Sequence, residues 1–166
     1  TGANSFIGRK MLNFFLKKNY KIYSIYNSRK IKHEKIINIK INFEEKKIDF
    51  KDLNNINPTY IVHAAWNTVN NDYLNSEKNN IWLKNSINFF KTFKNINEIK
   101  VIILGTCAEY NWNSKKILIE KYNYKPANNY GKAKRNLYLK LKYNLNIKKI
   151  LWLRLFYLFG KSSKNK

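Results

Sequence analysis

The chain of 166 residues is long enough for one domain with a sizeable core, and its 44% hydrophobic and 16% aromatic content excludes an intrinsically disordered protein. Its formal net charge of +23 is compatible with nucleic-acid binding, but only four of its 33 basic residues are arginines, and the lysines are spread along the whole chain. Because phosphate and base recognition favours arginine, we expect a mainly solvated basic surface and treat a nucleic-acid-binding module as the less favoured alternative.

Apolar residues at roughly helical spacing predict a helix over residues 6–18, directly after the glycine-containing stretch TGANSFIG. The run YKIYSIY (20–26) predicts a strand, and KIINIKINF (35–43) is a second β-rich run. After Pro58, TYIVHAAW (59–66) has the mostly apolar character of a strand that is buried on both faces.

The second half continues the alternation of helices and strands. Residues 76–94 carry an apolar stripe that predicts a helix packed on the core, and KVIILGT (100–106) predicts another buried strand. A helix is predicted from Tyr130 to about Tyr143, and a last strand within 148–159. This alternation predicts an α/β domain over residues 1–166, with a parallel sheet whose ligands bind at the carboxyl ends of the strands.

The compartment is predicted from what the sequence lacks. The single cysteine, Cys107, allows no internal disulfide, and neither an apolar run of about 20 residues nor a signal-peptide pattern is present. We therefore expect a cytoplasmic protein that does not bind membranes. The spacing of His, Cys, Asp and Glu indicates no metal site.

The stretch TGANSFIG has two interpretations. Asn4 or Ser5 could simply cap the following helix by accepting from its first free amides. Alternatively, Gly2 and Gly8 allow a tight turn, so that backbone amides and the positive helix end hold a pyrophosphate. In the second interpretation Ser5, which stands where a dinucleotide loop usually has its central glycine, either tolerates the phosphate or donates its hydroxyl to it.

The turn after the strand 20–26 bears on the choice of cofactor. Asn27 stands where a dinucleotide fold often has an acid that binds the adenosine ribose, and Arg29 follows two residues later. An acid would repel a 2′-phosphate, whereas an arginine can pair with one, so this pattern favours NADP over NAD. An exposed turn residue is the alternative interpretation of Arg29.

The sequence YGKAK places Tyr130 and Lys134 one helical turn apart, on the same face. In a chain rich in both residues, such a pair also arises by chance. As a catalytic pair, the ammonium would lower the phenol's pKa by stabilising phenolate. Thr106, which ends the strand before this helix, offers a hydroxyl to a substrate oxygen.

The chain contains five motifs in the following order: TGANSFIG, VHAAW, GTCAEY, YGKAK and LRLFYLFG. In their order and spacing they resemble those of the extended short-chain dehydrogenase/reductase family, which comprises NAD(P)-dependent sugar-nucleotide epimerases, dehydratases and reductases. The resemblance covers nearly the whole chain. It implies a Rossmann-type doubly wound sheet with helices on both faces, preceded by a first strand and followed by a C-terminal substrate region. We expect both to lie outside these residues.

The resemblance also implies roles for individual residues. Tyr130 would be the catalytic acid/base, Lys134 its pKa partner and a ligand of the nicotinamide ribose, and Thr106 the hydroxyl that positions the substrate. Asn42 departs from the Asp that the family usually has beside the adenine. The other positions implied to bind the cofactor are Gly2, Asn4, Ser5, Phe6, Ile7, Gly8, Arg29, Phe43, Ala64, Ala65, Trp66, Phe156 and Tyr157.

The family's 4,6-dehydratases have Asp and Glu directly after the catalytic Thr, where this chain has Cys107 and Ala108. That substitution disfavours a dehydratase and leaves an epimerase or a reductase of a nucleotide-linked sugar. Glu109, one place further, should point the other way. We expect Cys107 to be a buried thiol and His63 a core histidine. A non-catalytic NAD(P)-binding relative remains the alternative, and the resemblance leaves room for a homodimer in the full-length protein.

Overall fold

A computed structural model describes residues 1–68, 72–113, 117–121 and 124–160. These ranges contain both α-helices and parallel strands, which confirms the predicted α/β class. Helices and strands alternate from β3 onward, whereas no α-helix separates β1, β2 and β3. The helices are α1 (Phe6–Leu16), α2 (Lys78–Lys91) and α3 (Asn129–Leu139). The strands are β1 (Ile22–Tyr26), β2 (Ile36–Lys40), β3 (Tyr60–His63), β4 (Lys100–Thr106) and β5 (Ile150–Leu155).

All strand pairs among the described residues are parallel. β1 pairs with β2, with Ile22 opposite Ile36. β4 lies in the centre of a second sheet of order β3-β4-β5, in which Val101 is opposite both Ile61 and Ile150. Parallel strands need crossover connections. α2 provides the connection from β3 to β4 and α3 the connection from β4 to β5, whereas residues 27–35 connect β1 to β2 without a helix.

A cavity of about 470 Å³ lies between the two sheets, lined mainly by apolar side chains of α1, β1, β3 and α2. Thr1 enters along β3: its nitrogen donates to the Val62 carbonyl (2.7 Å) and its carbonyl accepts from Ala64 N–H (3.2 Å). This is the hydrogen-bond pattern of a parallel strand.

The core lies between α2, α3 and the sheets. Phe89 and Phe90 of α2, Ile103 of β4 and Leu137 of α3 are almost fully buried. The apolar stripe predicted on α2 therefore packs where expected. Within the described ranges, no helix combines the length and the apolar character needed to cross a membrane.

The predicted elements end slightly earlier than the sequence patterns suggest. The run 35–43 leaves the ladder after Lys40, because the Asn42 side chain accepts from the Glu44 N–H (3.0 Å) and closes a turn. The run 59–66 ends as a strand at His63, where its pairing with β4 also ends. The last predicted helix changes from α to π geometry over Lys140–Asn144.

We predict that Gly131→Ala destabilises the protein by about 1–2 kcal/mol, although alanine favours helix by about 1 kcal/mol over glycine. A Cβ at Gly131 would lie 2.2 Å from the Ala108 carbonyl oxygen, so backbone must move. The measurement is urea unfolding of the natural gene product at its full length. Lys132→Ala, at an exposed position of the same helix, is the control and should change stability by less than about 0.5 kcal/mol. Equal or greater stability of Gly131→Ala would contradict the prediction.

Candidate cofactor-binding and catalytic site

The glycine loop lies directly against the carboxyl end of β3. Gly2 has a φ of 72°, which side chains rarely tolerate. A Cβ there would lie 2.6 Å from the Ala65 nitrogen, and the Thr1 hydroxyl accepts from that same nitrogen at 3.3 Å. The loop therefore packs directly against the residues that follow β3, at the carboxyl edge of the sheet.

Ser5 is the N-cap of α1. Its hydroxyl accepts from the Gly8 N–H at 3.0 Å, and a Cβ at Gly8 would lie only 2.0 Å from the Gly2 carbonyl oxygen. The capping interpretation of Ser5 is therefore confirmed as local geometry. The amides of Phe6 and Ile7, which are the first in the helix, have no intrahelical acceptor, so the helix end still offers donors and its positive dipole to an anion.

Arg29 follows β1 at the same edge of the sheet and is exposed. The Asn4 side chain donates to its carbonyl, which ties the glycine loop to this turn. The structure therefore brings Arg29, which is predicted to bind the 2′-phosphate, next to the predicted pyrophosphate loop at the carboxyl edge of the sheet.

Phe43 lies in the core, where the residue is 3% exposed and its ring stacks on Trp82 with centroids 5.2 Å apart. Its carbonyl accepts from the Asn85 side chain at 2.9 Å. Asn42 is half-buried at the end of the same run. The predicted adenine contact of Phe43 would therefore have to use its backbone, because its side chain faces inward.

Thr106, Tyr130 and Lys134 lie close together at the end of β4. Lys134 is 2% exposed, and its Nζ donates to the Leu104 carbonyl of β4 at 2.8 Å. That Nζ is 4.1 Å from the centroid of the Trp66 indole and 6.0 Å from the centroid of the Tyr130 ring. The three predicted catalytic residues and one predicted cofactor-lining residue thus form a single cluster.

Burial controls the protonation of this cluster. It raises the pKa of Tyr130 to about 12, and hydrogen bonding with the Thr106 side chain opposes this only in part. It lowers the pKa of Lys134 to about 7, and the negative charge of Glu109 opposes that shift. The phenol's pKa is therefore raised rather than lowered in this arrangement, because desolvation by burial is the largest cause. The effect of Lys134 on this phenol stays a prediction.

Two side interpretations from the sequence are resolved by the structure. His63 is fully buried, and its ring nitrogens bond the hydroxyls of Thr1 (3.0 Å) and Ser86 (3.1 Å), as expected of a core histidine. Cys107 is only partly buried, so the expectation of a buried thiol holds in part, and burial raises its thiol pKa.

The residues that directly follow β5 are exposed. Phe156 packs its ring near Tyr110 and Trp112, at centroid distances of 6.0 and 6.2 Å. Tyr157 is 77% exposed and follows directly. Gly160 approaches the ring of Phe6, whose nearest atom would be 3.0 Å from a Cβ at that glycine. The segment therefore returns toward the start of α1.

Sequence reasoning missed two supports of this cluster. Asn79 of α2 is 3% exposed, accepts from the Trp66 indole at 2.9 Å, and donates to the Tyr73 carbonyl at 2.7 Å. The Tyr130 N–H donates to the Leu74 carbonyl, which fixes the start of α3. Hydrophobic periodicity alone does not show that a polar residue in the first turn of a helix, such as Asn79, is buried.

Several solved structures share this fold. UDP-N-acetylglucosamine 4-epimerase from Methanobrevibacter ruminantium M1, solved with UDP-N-acetylmuramic acid, aligns with a TM-score of 0.78 and 25% identity over 99% of this chain and 56% of that one. UDP-N-acetylglucosamine 4-epimerase from Bacillus cereus aligns with a TM-score of 0.69 and 17% identity over 98% of this chain and 56% of that one. dTDP-glucose 4,6-dehydratase from Bacillus anthracis, solved with NAD, aligns with a TM-score of 0.64 and 15% identity over 92% of this chain and 52% of that one.

The chain thus spans about half the length of these structures. No curated protein matches it significantly. The NAD dependent epimerase/dehydratase family, in contrast, matches residues 1–166, which is the whole sequence. Together with the parallel sheet and the cluster at its carboxyl edge, this match shows that the chain belongs to the NAD-dependent epimerase/dehydratase family.

Proposed function

We propose that this chain is the NAD(P)-binding domain of an enzyme that oxidises or epimerises a carbon of a nucleotide-linked sugar. The observation that carries this proposal is the convergence of Thr106, Tyr130 and Lys134 at the carboxyl edge of a parallel sheet. Lys134 there contacts Trp66, which directly follows the residues packed against Gly2. In open α/β sheets this edge is where ligands bind.

The residues present fit a dinucleotide. No side chain fits beside Gly2 or Gly8, so glycine at both positions allows the loop backbone to run close to the start of α1. The amides of Phe6 and Ile7 at that helix start would hold the pyrophosphate. The cofactor would lie between the glycine loop and α3, where it would contact Ala64, Ala65 and Trp66. When bound, the nicotinamide supplies a hydride acceptor and donor.

Tyr130 would exchange a proton with the oxygen on the carbon that gains or loses hydride. With a pKa of about 12, its phenol is protonated at neutral pH and ready to donate. Thr106 would donate its hydroxyl to the same oxygen. For Tyr130 to act as the base, its pKa must fall, and a cation within about 6 Å has that effect.

Lys134 is placed to supply that cation. Its Nζ is held between the Leu104 carbonyl and the Trp66 ring, and it is 6.0 Å from the Tyr130 ring centroid. We propose that it also donates to the ribose hydroxyls of the nicotinamide nucleotide. Such added partners would favour its protonated form and so strengthen its effect on Tyr130.

The geometry after Thr106 favours an epimerase or reductase over a 4,6-dehydratase. Ala108 has no proton to transfer, and burial raises rather than lowers the thiol pKa of Cys107. The nearest carboxylate, Glu109, is fully buried and bonds Trp152 and Arg154 on β5. An elimination that needs an acid and a base beside Thr106 has neither in this turn.

We predict that Tyr130→Phe lowers turnover of a nucleotide sugar by about 10²–10⁴-fold while NAD(P) affinity stays nearly unchanged, because only the proton-transferring hydroxyl is removed. The measurement uses the full-length gene product and a panel of UDP- and dTDP-linked sugars. Tyr138→Phe, two turns along α3 where the hydroxyl accepts from Lys142, is the matched control. Unchanged turnover of Tyr130→Phe would remove it from the mechanism, and cofactor binding without any turnover in the wild type would favour a non-catalytic relative.

We predict that Lys134 makes cofactor-free stability depend on pH. Because its pKa falls from 10.5 in the unfolded chain to about 7 in the folded chain, the unfolded state binds more protons between these values. Stability relative to Lys134→Met should therefore rise by about 1 kcal/mol per pH unit above pH 7.5. Urea unfolding of both proteins at pH 7.5, 8.5 and 9.5 measures this difference, and parallel pH curves would refute it.

We propose NADP as the preferred cofactor, on the position of Arg29 beside the Asn4 contact. Arg29→Ala should weaken NADPH binding about tenfold and NADH binding by less than about twofold, since only NADPH carries the 2′-phosphate. Fluorescence titration measures both affinities. Lys30→Ala removes a neighbouring exposed charge and should affect both cofactors alike. Equal losses for Arg29→Ala would retire the NADP preference.

A further inference from the structure

Glu109 is a fully buried carboxylate that joins the end of β4 to β5. It accepts from the Thr106 backbone N–H at 2.9 Å, from the Trp152 indole at 2.9 and 3.2 Å, and from Arg154 Nε at 3.2 Å. A carboxylate in a protein interior is costly unless it is paired and hydrogen-bonded. The carboxylate is 0% exposed and both of its oxygens are bonded within the protein, so it is not open to a substrate.

The surroundings of this carboxylate are built to receive it. Trp152 and Arg154 are two residues apart on β5, so their side chains share one face of the strand. A Cβ at Gly105 would lie 2.2 Å from the Trp152 indole nitrogen and 2.7 Å from the Glu109 Oε1. Only a glycine before Thr106 leaves room for the pair.

The same contacts fix Thr106 from two sides. The Glu109 carboxylate accepts from the Thr106 backbone N–H, and the Thr106 hydroxyl oxygen accepts from the Ala108 N–H at 3.2 Å. These two hydrogen bonds together form a reciprocal capping box. With its oxygen held by that amide, the hydroxyl keeps its own proton available for donation. Thr106 is therefore restrained in backbone and side chain at once.

We propose that Glu109 is a positioning residue: through the Thr106 N–H it holds the Thr106 hydroxyl in the geometry that donates to the substrate oxygen. The proposal rests on the catalytic role of Thr106 under the proposed function. Arg154 balances the charge of Glu109, and the Trp152 indole fixes the carboxylate's orientation.

The test compares two variants of the full-length gene product that both lack the buried charge pair. Glu109→Met with Arg154→Met removes the acceptor for the Thr106 N–H. Glu109→Gln with Arg154→Met keeps an amide oxygen there. We expect the Met variant to lower kcat about tenfold, the Gln variant to stay within about twofold of wild type, and KM and cofactor affinity to change little in either.

The decisive step repeats this comparison in a Thr106→Val background, where no hydroxyl remains to be positioned. There the Met and Gln variants should have the same kcat, whereas in a Thr106→Ser background the difference should return. A merely structural role would give the same difference in all three backgrounds, and that result would overturn the proposal. Equal kcat of the Met and Gln variants with Thr106 intact would also overturn it.

Two further results separate the possible failures. If Thr106→Val alone leaves kcat unchanged, the catalytic role of Thr106 is wrong, and the proposal falls with it. If Thr106→Val lowers kcat but the effects are additive, only the role of Glu109 is wrong. Should the Met variant fail to fold, Glu109→Asp replaces it: the shortened side chain keeps the charge, and its kcat loss must likewise disappear in the Thr106→Val background.

Discussion

The arrangement of the site depends on one close contact between two backbones. Gly131, near the start of α3, packs so tightly against the Ala108 carbonyl that a Cβ would lie 2.2 Å from that oxygen. Asn128 caps the helix by accepting from the Gly131 N–H at 2.8 Å, which fixes where α3 begins. Tyr130 and Lys134 flank this glycine, so the contact sets how far both lie from Thr106.

The charges of the site follow from burial rather than from the net charge of the chain. Most of the 33 basic residues are solvated, yet Lys134 lies in the interior, where desolvation lowers its pKa to about 7. An apolar side chain would fill that space at a lower free-energy cost. Lys134 lies beside a phenol whose pKa burial raises to about 12, and these are two of the groups to which the proposed function assigns proton transfer.

Much of the fold could be predicted because helix and strand periods alternate clearly; β4, for example, occupies the predicted residues 100–106. The motifs also identified which side chains meet at the sheet edge. Three features depend on packing between distant elements and could not be predicted: the inward orientation of Phe43, the raised pKa of Tyr130 and the burial of Glu109 on β5. Periodicity describes one element at a time, whereas each of these depends on at least two.

The most direct measurement of the central claim is a crystal structure of the full-length protein with NAD(P) and a nucleotide sugar. The account predicts the pyrophosphate at the amides of Phe6 and Ile7, Lys134 Nζ bonded to the nicotinamide ribose, and Tyr130 and Thr106 hydrogen-bonded to one sugar oxygen. A dinucleotide bound elsewhere, or a sugar out of reach of Tyr130, would contradict it.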